Sequence, residues 1–141
     1  MATATVRKRI VWIDEDTDII GPVVRPLELA GHEVQRIDTA AGALTPAALE
    51  AMRSADLVLL DMILPPGDTE RKFGAYAGCE VLRLMRQTYH IETPVLILSV
   101  VTNSELRAEI ESLGVSGIVR KPMLPSELKR RALAVLFPDQ V

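Results

Sequence analysis

The sequence has 141 residues, of which 48% are hydrophobic and 25% charged, and its formal net charge is −3. This length supports one domain with a hydrophobic core and is short for two, so we expect a single domain over residues 1–141. A mildly acidic chain has no general tendency to bind nucleic acid or an anionic membrane. No apolar stretch approaches the roughly 20 residues of a membrane span. The single cysteine, Cys79, excludes an internal disulfide and fits a reducing compartment, so we expect a cytoplasmic location.

Five short apolar stretches predict β-strands at residues 9–13, 33–37, 57–60, 94–98 and 117–119. The segments between and after them predict helices at residues 17–30, from Thr45 onward, 79–88, 102–114 and 125–136. Pro26 predicts a kink in the first helix, and Thr102 with Glu105 forms a capping-box pattern at the fourth. Strand and helix therefore alternate five times. This order predicts an α/β fold with a doubly wound, five-stranded parallel sheet and helices on both faces.

Polar side chains stand where four of these strands end, namely Asp14, Glu15, Asp16, Asp61, Ser99 and Lys121. The carboxyl ends of parallel strands meet at one edge of the sheet, which is where open α/β folds build ligand sites. Carboxylates that converge there repel one another unless a cation neutralises them, and oxygen donors without His or Cys suit Mg²⁺. A lysine can bind a phosphoryl oxygen. A carboxylate beside Mg²⁺ can act as a nucleophile and become an aspartyl phosphate.

Four motifs occur in order at these strand ends: WIDEDTDI, LLDMILPPGD, TPVLILSV and VRKP. Over about residues 8–137 the chain resembles the receiver domain of two-component response regulators, which has a flavodoxin-like fold. The resemblance implies that Asp61 accepts a phosphoryl group from a histidine kinase or a histidine phosphotransfer protein, with Lys121 as the phosphoryl partner. It further implies a signalling module that acts on its own phosphorylation state and turns over no metabolite.

The resemblance also implies a metal site and a switch. Mg²⁺ would be held by Asp14, Glu15, Asp61 and the backbone carbonyl of Ile63. The hydroxyl of Ser99 would move toward the phosphoryl group, and Ile118 stands at the position of the family's aromatic switch. Phosphorylation would then shift the face formed by the last two helices and the last strand, to which an effector that the sequence does not identify would bind. Homodimer formation is left open. The Lys–Pro peptide bond is often cis in this family.

The sequence departs from the family pattern at four places. Glu15 stands where a second aspartate is usual, Val100 replaces a small residue after the hydroxyl, and Ile118 replaces an aromatic residue. Residues 66–77 form an inserted loop before the family's glycine, which we assign to Gly78. The insert carries two basic and two aromatic residues: Arg71, Lys72, Phe73 and Tyr76. It is either a solvated surface loop or a partner-docking element with Phe73 as its anchor.

Two other functions stay open at this point. The first is a degenerate receiver that binds partners without being phosphorylated. The second is a haloacid dehalogenase-like phosphatase, since WIDEDTD approaches the DxDx[TV] signature, although Thr17 falls one place early and Asp18 occupies the required position. The two histidines, His32 and His90, have no ligand partners nearby in sequence, and we expect both at the surface.

Overall fold

The computed structural model describes residues 6–16, 21–100 and 103–140. The strands are β1 (Arg9–Ile13), β2 (Glu33–Ile37), β3 (Leu57–Asp61), β4 (Val95–Ser99) and β5 (Gly117–Arg120). The helices are α1 (Gly21–Leu29), α2 (Ala40–Ala43), α3 (Pro46–Ser54), α4 (Ala77–Arg83), α5 (Ser104–Ser112) and α6 (Pro125–Leu136). A π-helical turn, Leu84–Thr88, continues α4, and a 3-10 turn, Pro138–Gln140, follows α6. No described helix is long and apolar enough to cross a lipid bilayer.

The five strands form one parallel sheet in the order β2-β1-β3-β4-β5. This arrangement confirms the predicted doubly wound fold. The register brings the carboxyl ends of the strands to one edge, because Ile13 pairs with Leu60 and Asp61 pairs with Leu98. On the next strand along, Ser99 pairs with Arg120. The strand-end residues predicted from the sequence therefore lie along a single edge, which we call the carboxyl edge.

The two faces of the sheet carry separate hydrophobic clusters. Successive side chains of a strand point to opposite faces, so Val58 and Leu60 of β3 join one cluster while Leu57 and Leu59 join the other. The first cluster includes side chains of α2 to α5, and the second includes side chains of α1 and α6. All residues of β3 and β4 are buried, as expected for central strands covered by helices on both faces.

The structure differs from the sequence-based prediction in three places. The short helix α2 was not predicted, because four residues carry no readable apolar period; Thr39 caps it by accepting a hydrogen bond from the backbone N–H of Gly42. The side chain of Asn103 caps α5, whereas the predicted cap, Thr102, lies outside the described residues. The first four residues of the predicted helix 17–30 also lie outside them. The surface prediction holds for His90, but it is wrong for His32, which is buried.

Candidate functional site

The carboxyl edge contains two buried carboxylates joined by one lysine. Asp14 follows β1 and Asp61 ends β3, which are neighbouring strands. Both carboxylates are buried, and Asp61 is only 5% exposed. The Nζ atom of Lys121 lies 2.7 Å from Oδ2 of Asp14 and 3.1 Å from Oδ2 of Asp61. Three of the residues predicted from strand ends therefore meet in a single ion-paired group.

Backbone contacts orient each member of this group. The N–H of Asp16 donates to Oδ1 of Asp14 over 3.0 Å, and the N–H of Ile63 donates to Oδ1 of Asp61 over 3.3 Å. The backbone N–H of Lys121 donates to the carbonyl of Ser99 over 2.9 Å, and the Lys121–Pro122 peptide bond is cis. The lysine thus leaves β5 while still tied to the end of β4.

Burial and charge raise the pKa of Asp61 to about 6. Desolvation of the carboxylate is the largest cause and the negative charge of Asp14 is the second, while Lys121 acts in the opposite direction. Burial lowers the pKa of Lys121, but its hydrogen bond to Asp14 and the charge of Asp61 outweigh burial and leave that pKa raised. One lysine therefore offsets only part of the negative charge at this edge.

The donor chemistry of the carboxyl edge fits a hard divalent cation. Asp14 and Asp61 supply carboxylate oxygens where negative charge is in excess, and Ile63 supplies a nearby backbone carbonyl. Glu15 is exposed and Asp16 is partly exposed. Within residues 6–16, 21–100 and 103–140, no three His, Cys, Asp or Glu side chains already surround a common point. This sparse set suits Mg²⁺, which usually keeps several waters and takes one or two carboxylates.

The two predicted switch residues line one cleft between β4, α5 and β5. Ser99 is buried at the end of β4, and Ile118 of β5 is partly buried against the first hydrophobic cluster. The cleft between them measures about 230 Å³, and Leu106, Arg107 and Arg120 also line it. The structure therefore places the residue that replaces the family's aromatic side chain beside the hydroxyl.

Val100 lies at the surface, with 55% of the residue exposed. It lines a second cleft of about 230 Å³ together with Val23, Lys121 and Met123. The sequence analysis did not include Val23 and Met123 among the site residues. Only their positions in the sequence could have indicated that they lie near the site: Met123 follows the Lys–Pro pair, and Val23 is part of the helix after the acidic motif.

The insert is docked onto the domain rather than solvated throughout. The carbonyls of Pro65 and Pro66 accept hydrogen bonds of 2.9 Å from the N–H groups of Ala40 and Ala41 in α2. Further along, the N–H of Gly74 donates to Oε2 of Glu80 over 2.7 Å.

The basic and aromatic residues of the insert lie in different environments. Arg71 and Lys72 are exposed, whereas Phe73 and Tyr76 are partly buried against the first hydrophobic cluster. Arg71 and Phe73 line a cleft with Ala41 of α2, with Leu44 and Thr45 between α2 and α3, and with Tyr89 after the π-helical turn. Phe73 is therefore packed in its own domain, and the role of the insert in partner binding stays a prediction.

Gly78 fits the position assigned to it. Its N–H donates to the carbonyl of Met62 over 2.9 Å. A Cβ atom added at Gly78 would lie 1.9 Å from the backbone oxygen of Asp61, closer than any real contact. The start of α4 can therefore approach the end of β3 this closely only with a glycine at this position.

Comparisons with known proteins agree with this fold. The family model of the response regulator receiver domain matches residues 10–133. The chain is 28% identical over 132 residues to the phosphate regulon transcriptional regulatory protein PhoB of Pseudomonas aeruginosa, covering 93% of this chain and 52% of that protein. It is 30% identical over 128 residues to the DNA-binding dual master transcriptional regulator RpaA of Synechocystis, covering 91% of this chain and 48% of that protein. The chain thus spans about half the length of these relatives.

A solved structure gives the same result. The chemotaxis response regulator CheY4 of Vibrio cholerae superimposes with a TM-score of 0.72 at 25% sequence identity, covering 93% of this chain and 100% of that one. The match of the family model extends over most of the chain, from β1 into α6. The chain therefore belongs to the family of response regulator receiver domains of two-component signalling systems.

Proposed function

We propose that this receiver domain is a phosphorylation-controlled protein-binding module in which Asp61 is the phosphoacceptor. The observation that carries the proposal is the position of the Asp61 carboxylate, buried at the carboxyl edge and bound by the ammonium group of Lys121 at 3.1 Å. With a pKa of about 6, Asp61 is mostly ionised above neutral pH and so holds the lone pair that a nucleophile needs.

The transfer step uses few groups of this chain. An Oδ atom of Asp61 forms a bond to phosphorus while the phosphorus–nitrogen bond of a phosphohistidine breaks, and the imidazole of the donor leaves with that electron pair. Lys121 lies within reach of the same carboxylate and binds the phosphoryl oxygens as charge builds up on them. Asp14, Glu15, Asp61 and the Ile63 carbonyl would hold Mg²⁺, which would supply further positive charge there. Positioning and electrostatics therefore account for the chemistry.

The switch follows from the new charge at Asp61. The hydroxyl of Ser99 donates a hydrogen bond to the phosphoryl group, and its movement changes the cleft that it shares with Ile118. Ile118 can change its rotamer when Ser99 moves, but it has no hydroxyl group that could form a hydrogen bond. We propose that the output is a changed surface on α5, β5 and α6, which an effector protein recognises.

The surroundings of the site favour a protein as phosphodonor. Val100, Val23 and Met123 form an apolar rim beside Lys121, and such a rim offers contact area to a protein and little to a small anion. We propose a histidine kinase or a histidine phosphotransfer protein as the donor, acting in the cytoplasm. Small phosphodonors should react more slowly.

Intact mass spectrometry tests the proposal. The protein is incubated with Mg²⁺ and either a phosphorylated histidine protein or a small phosphodonor, beside the variants Asp61→Asn and Asp68→Asn. Asp68 is an exposed aspartate of the insert and serves as the matched control. We expect a gain of one phosphoryl group that Asp61→Asn and a metal chelator abolish and Asp68→Asn retains. A gain that survives Asp61→Asn would show that another residue is the acceptor.

A second candidate is a receiver that binds its partner without phosphorylation. One observation favours it: Glu15, a predicted metal ligand, is exposed, whereas Asp14 and Asp61 are buried. In that case no donor phosphorylates the protein, and Asp61→Asn leaves the affinity for the partner unchanged. The phosphatase alternative is not carried further, because the chain belongs to the receiver family and Thr17 and Asp18 lie outside the described residues.

A further inference from the structure

A buried histidine lies at the edge of the sheet opposite the carboxyl edge. His32 stands between the end of α1 and the start of β2, and only 4% of it is exposed. Its backbone N–H donates to the carbonyl of Leu27 over 3.2 Å, which fixes the chain as it leaves α1. The side chain takes no part in the phosphorylation site, so its burial needs another explanation.

The imidazole of His32 is held in its neutral form by one hydrogen bond. The backbone N–H of Lys8 donates to Nδ1 over 3.1 Å, so Nδ1 carries a lone pair and the proton of the neutral ring is on Nε2. Nε2 is buried and has no hydrogen-bond partner among the described residues. A second proton would have to go to Nδ1, where it would face the N–H of Lys8.

The same imidazole packs against the last residue before the C-terminal turn. The rings of His32 and Phe137 have their centroids 5.9 Å apart, and Nζ of Lys8 lies 5.1 Å from the centre of the Phe137 ring. Phe137 follows α6 directly and donates its N–H to the carbonyl of Leu133. His32 and Lys8 therefore connect the starts of β1 and β2 to the end of α6.

The charges around His32 mostly oppose a second proton. Burial is the main factor that lowers its pKa, and Lys8 lowers it further; Asp56, before β3, acts in the opposite direction, and Lys129 of α6 again lowers it. The folded state thus prefers the neutral ring. For such a group, the stabilisation is complete above the pKa of the unfolded chain, 6.5, and is lost as the pH falls below it.

We propose that His32 is a proton-sensitive latch, in which protonation of Nδ1 breaks the hydrogen bond from the Lys8 N–H and releases Phe137 from the sheet. The product is an imidazolium ion with two N–H donors, no acceptor for Lys8 and a positive charge beside the Lys8 ammonium group. The latch is independent of phosphorylation, because it uses none of the residues at the carboxyl edge.

Nuclear magnetic resonance between pH 8 and pH 5 tests the latch in the wild-type protein. The chain has two histidines, His32 and His90, so the variant His32→Asn assigns the imidazole signals of His32. We expect His32 to titrate below 6.5, the value of an unfolded histidine, and the Lys8 amide and the Phe137 ring signals to change with the midpoint of His32. The protection of the Lys8 amide from hydrogen exchange should be lost in the same pH range.

Two matched variants separate the latch from other titrations. In His32→Asn, an amide oxygen can take the place of Nδ1 as acceptor without titrating, so the pH-dependent changes at Lys8 and Phe137 should disappear. His90→Asn should retain them, and Asn tolerates the positive φ of 52° at this position. The proposal is overturned if His32 stays neutral until the protein unfolds, if it protonates without any change at Lys8 and Phe137, or if those changes persist in His32→Asn.

Discussion

Ionised Asp61 should destabilise the metal-free protein, and replacing it with asparagine should relieve that cost. The carboxylate is buried and faces the charge of Asp14, and Lys121 compensates only in part. Asparagine has nearly the same shape and keeps an oxygen that can accept from Lys121. The variant therefore removes one negative charge from the carboxyl edge and leaves the ion pair between Lys121 and Asp14 in place.

The size of the effect follows from the pKa shift. The pKa of Asp61 rises from 3.8 to about 6 on folding, a shift of about two units, and each unit corresponds to about 1.4 kcal/mol. Above pH 6 the free energy of unfolding of Asp61→Asn should therefore exceed that of the wild type by up to about 3 kcal/mol. The shift includes the compensation by Lys121 and by the Ile63 N–H. These groups donate to different oxygens of Asp61, and asparagine has only one oxygen, so the loss of one of these bonds would reduce the gain.

The gain should depend on pH in a defined direction. The folded state binds a proton at Asp61 more tightly than the unfolded state does. Proton binding at Asp61 therefore stabilises the folded wild type at low pH, and this stabilisation is lost as the pH rises through about 6. The advantage of Asp61→Asn should be complete at pH 8, decrease through pH 6 and disappear near pH 4.

Urea denaturation with a metal chelator at pH 8, 6 and 4.5 measures this difference. Asp68→Asn removes an exposed aspartate in the insert and should change the stability by less than about 0.5 kcal/mol at each pH. The reasoning is refuted if Asp61→Asn is less stable than the wild type at pH 8, or if its advantage is as large at pH 4.5 as at pH 8. Either result would mean that the ionised carboxylate is well compensated in the folded protein.

Three further predictions concern the metal, the contact between α4 and β3, and the buried hydrogen bonds of Arg86. Mg²⁺ at about 100 times its dissociation constant should stabilise the wild type by about 2.7 kcal/mol in thermal or urea unfolding, and Asp61→Asn should lose most of this gain. Gly78→Ala should lower the free energy of unfolding, measured by urea denaturation, by about 3 kcal/mol or more, because its Cβ would overlap the Asp61 carbonyl. The control Gly74→Ala, whose Cβ would have its nearest contact at 3.6 Å, should be tolerated. Arg86 donates to four backbone carbonyls, so Arg86→Met should lower the free energy of unfolding by about 2–4 kcal/mol. Loss of the exposed ion pair of Arg107 should lower it by less than about 1 kcal/mol in the same assay.

The sequence was sufficient to predict the sheet and the residues of the carboxyl edge. Alternating strands and helices define a parallel sheet, and a parallel sheet brings strand ends together, so Asp14, Asp61, Ser99 and Lys121 could be grouped without coordinates. Each of these residues is identified by its place at the end of an apolar run. Fold and site were predictable for the same reason.

Contacts between elements distant in sequence were not predictable in this way. His32 reads as a polar residue in a turn after Gly31, and its burial depends on Phe137, more than 100 residues later. The same holds for Arg86, whose carbonyl partners include Leu113 and Gly114. Such residues have no period and no motif, because their environment is created only when helices pack on the sheet.

The insert raises a related question, namely how extra residues a few positions after Asp61 leave the carboxyl edge intact. The N–H of Gly78 donates a hydrogen bond to the carbonyl of Met62. After the insert, the chain therefore returns to Met62, the residue that follows Asp61. The proline carbonyls at the start of the insert accept hydrogen bonds from backbone N–H groups of α2. Both ends of the insert are thus fixed by backbone contacts that do not depend on what lies between them, and a longer loop adds little closure entropy. Residues 66–77 can therefore vary in length and charge while Asp61 keeps its position at the carboxyl edge.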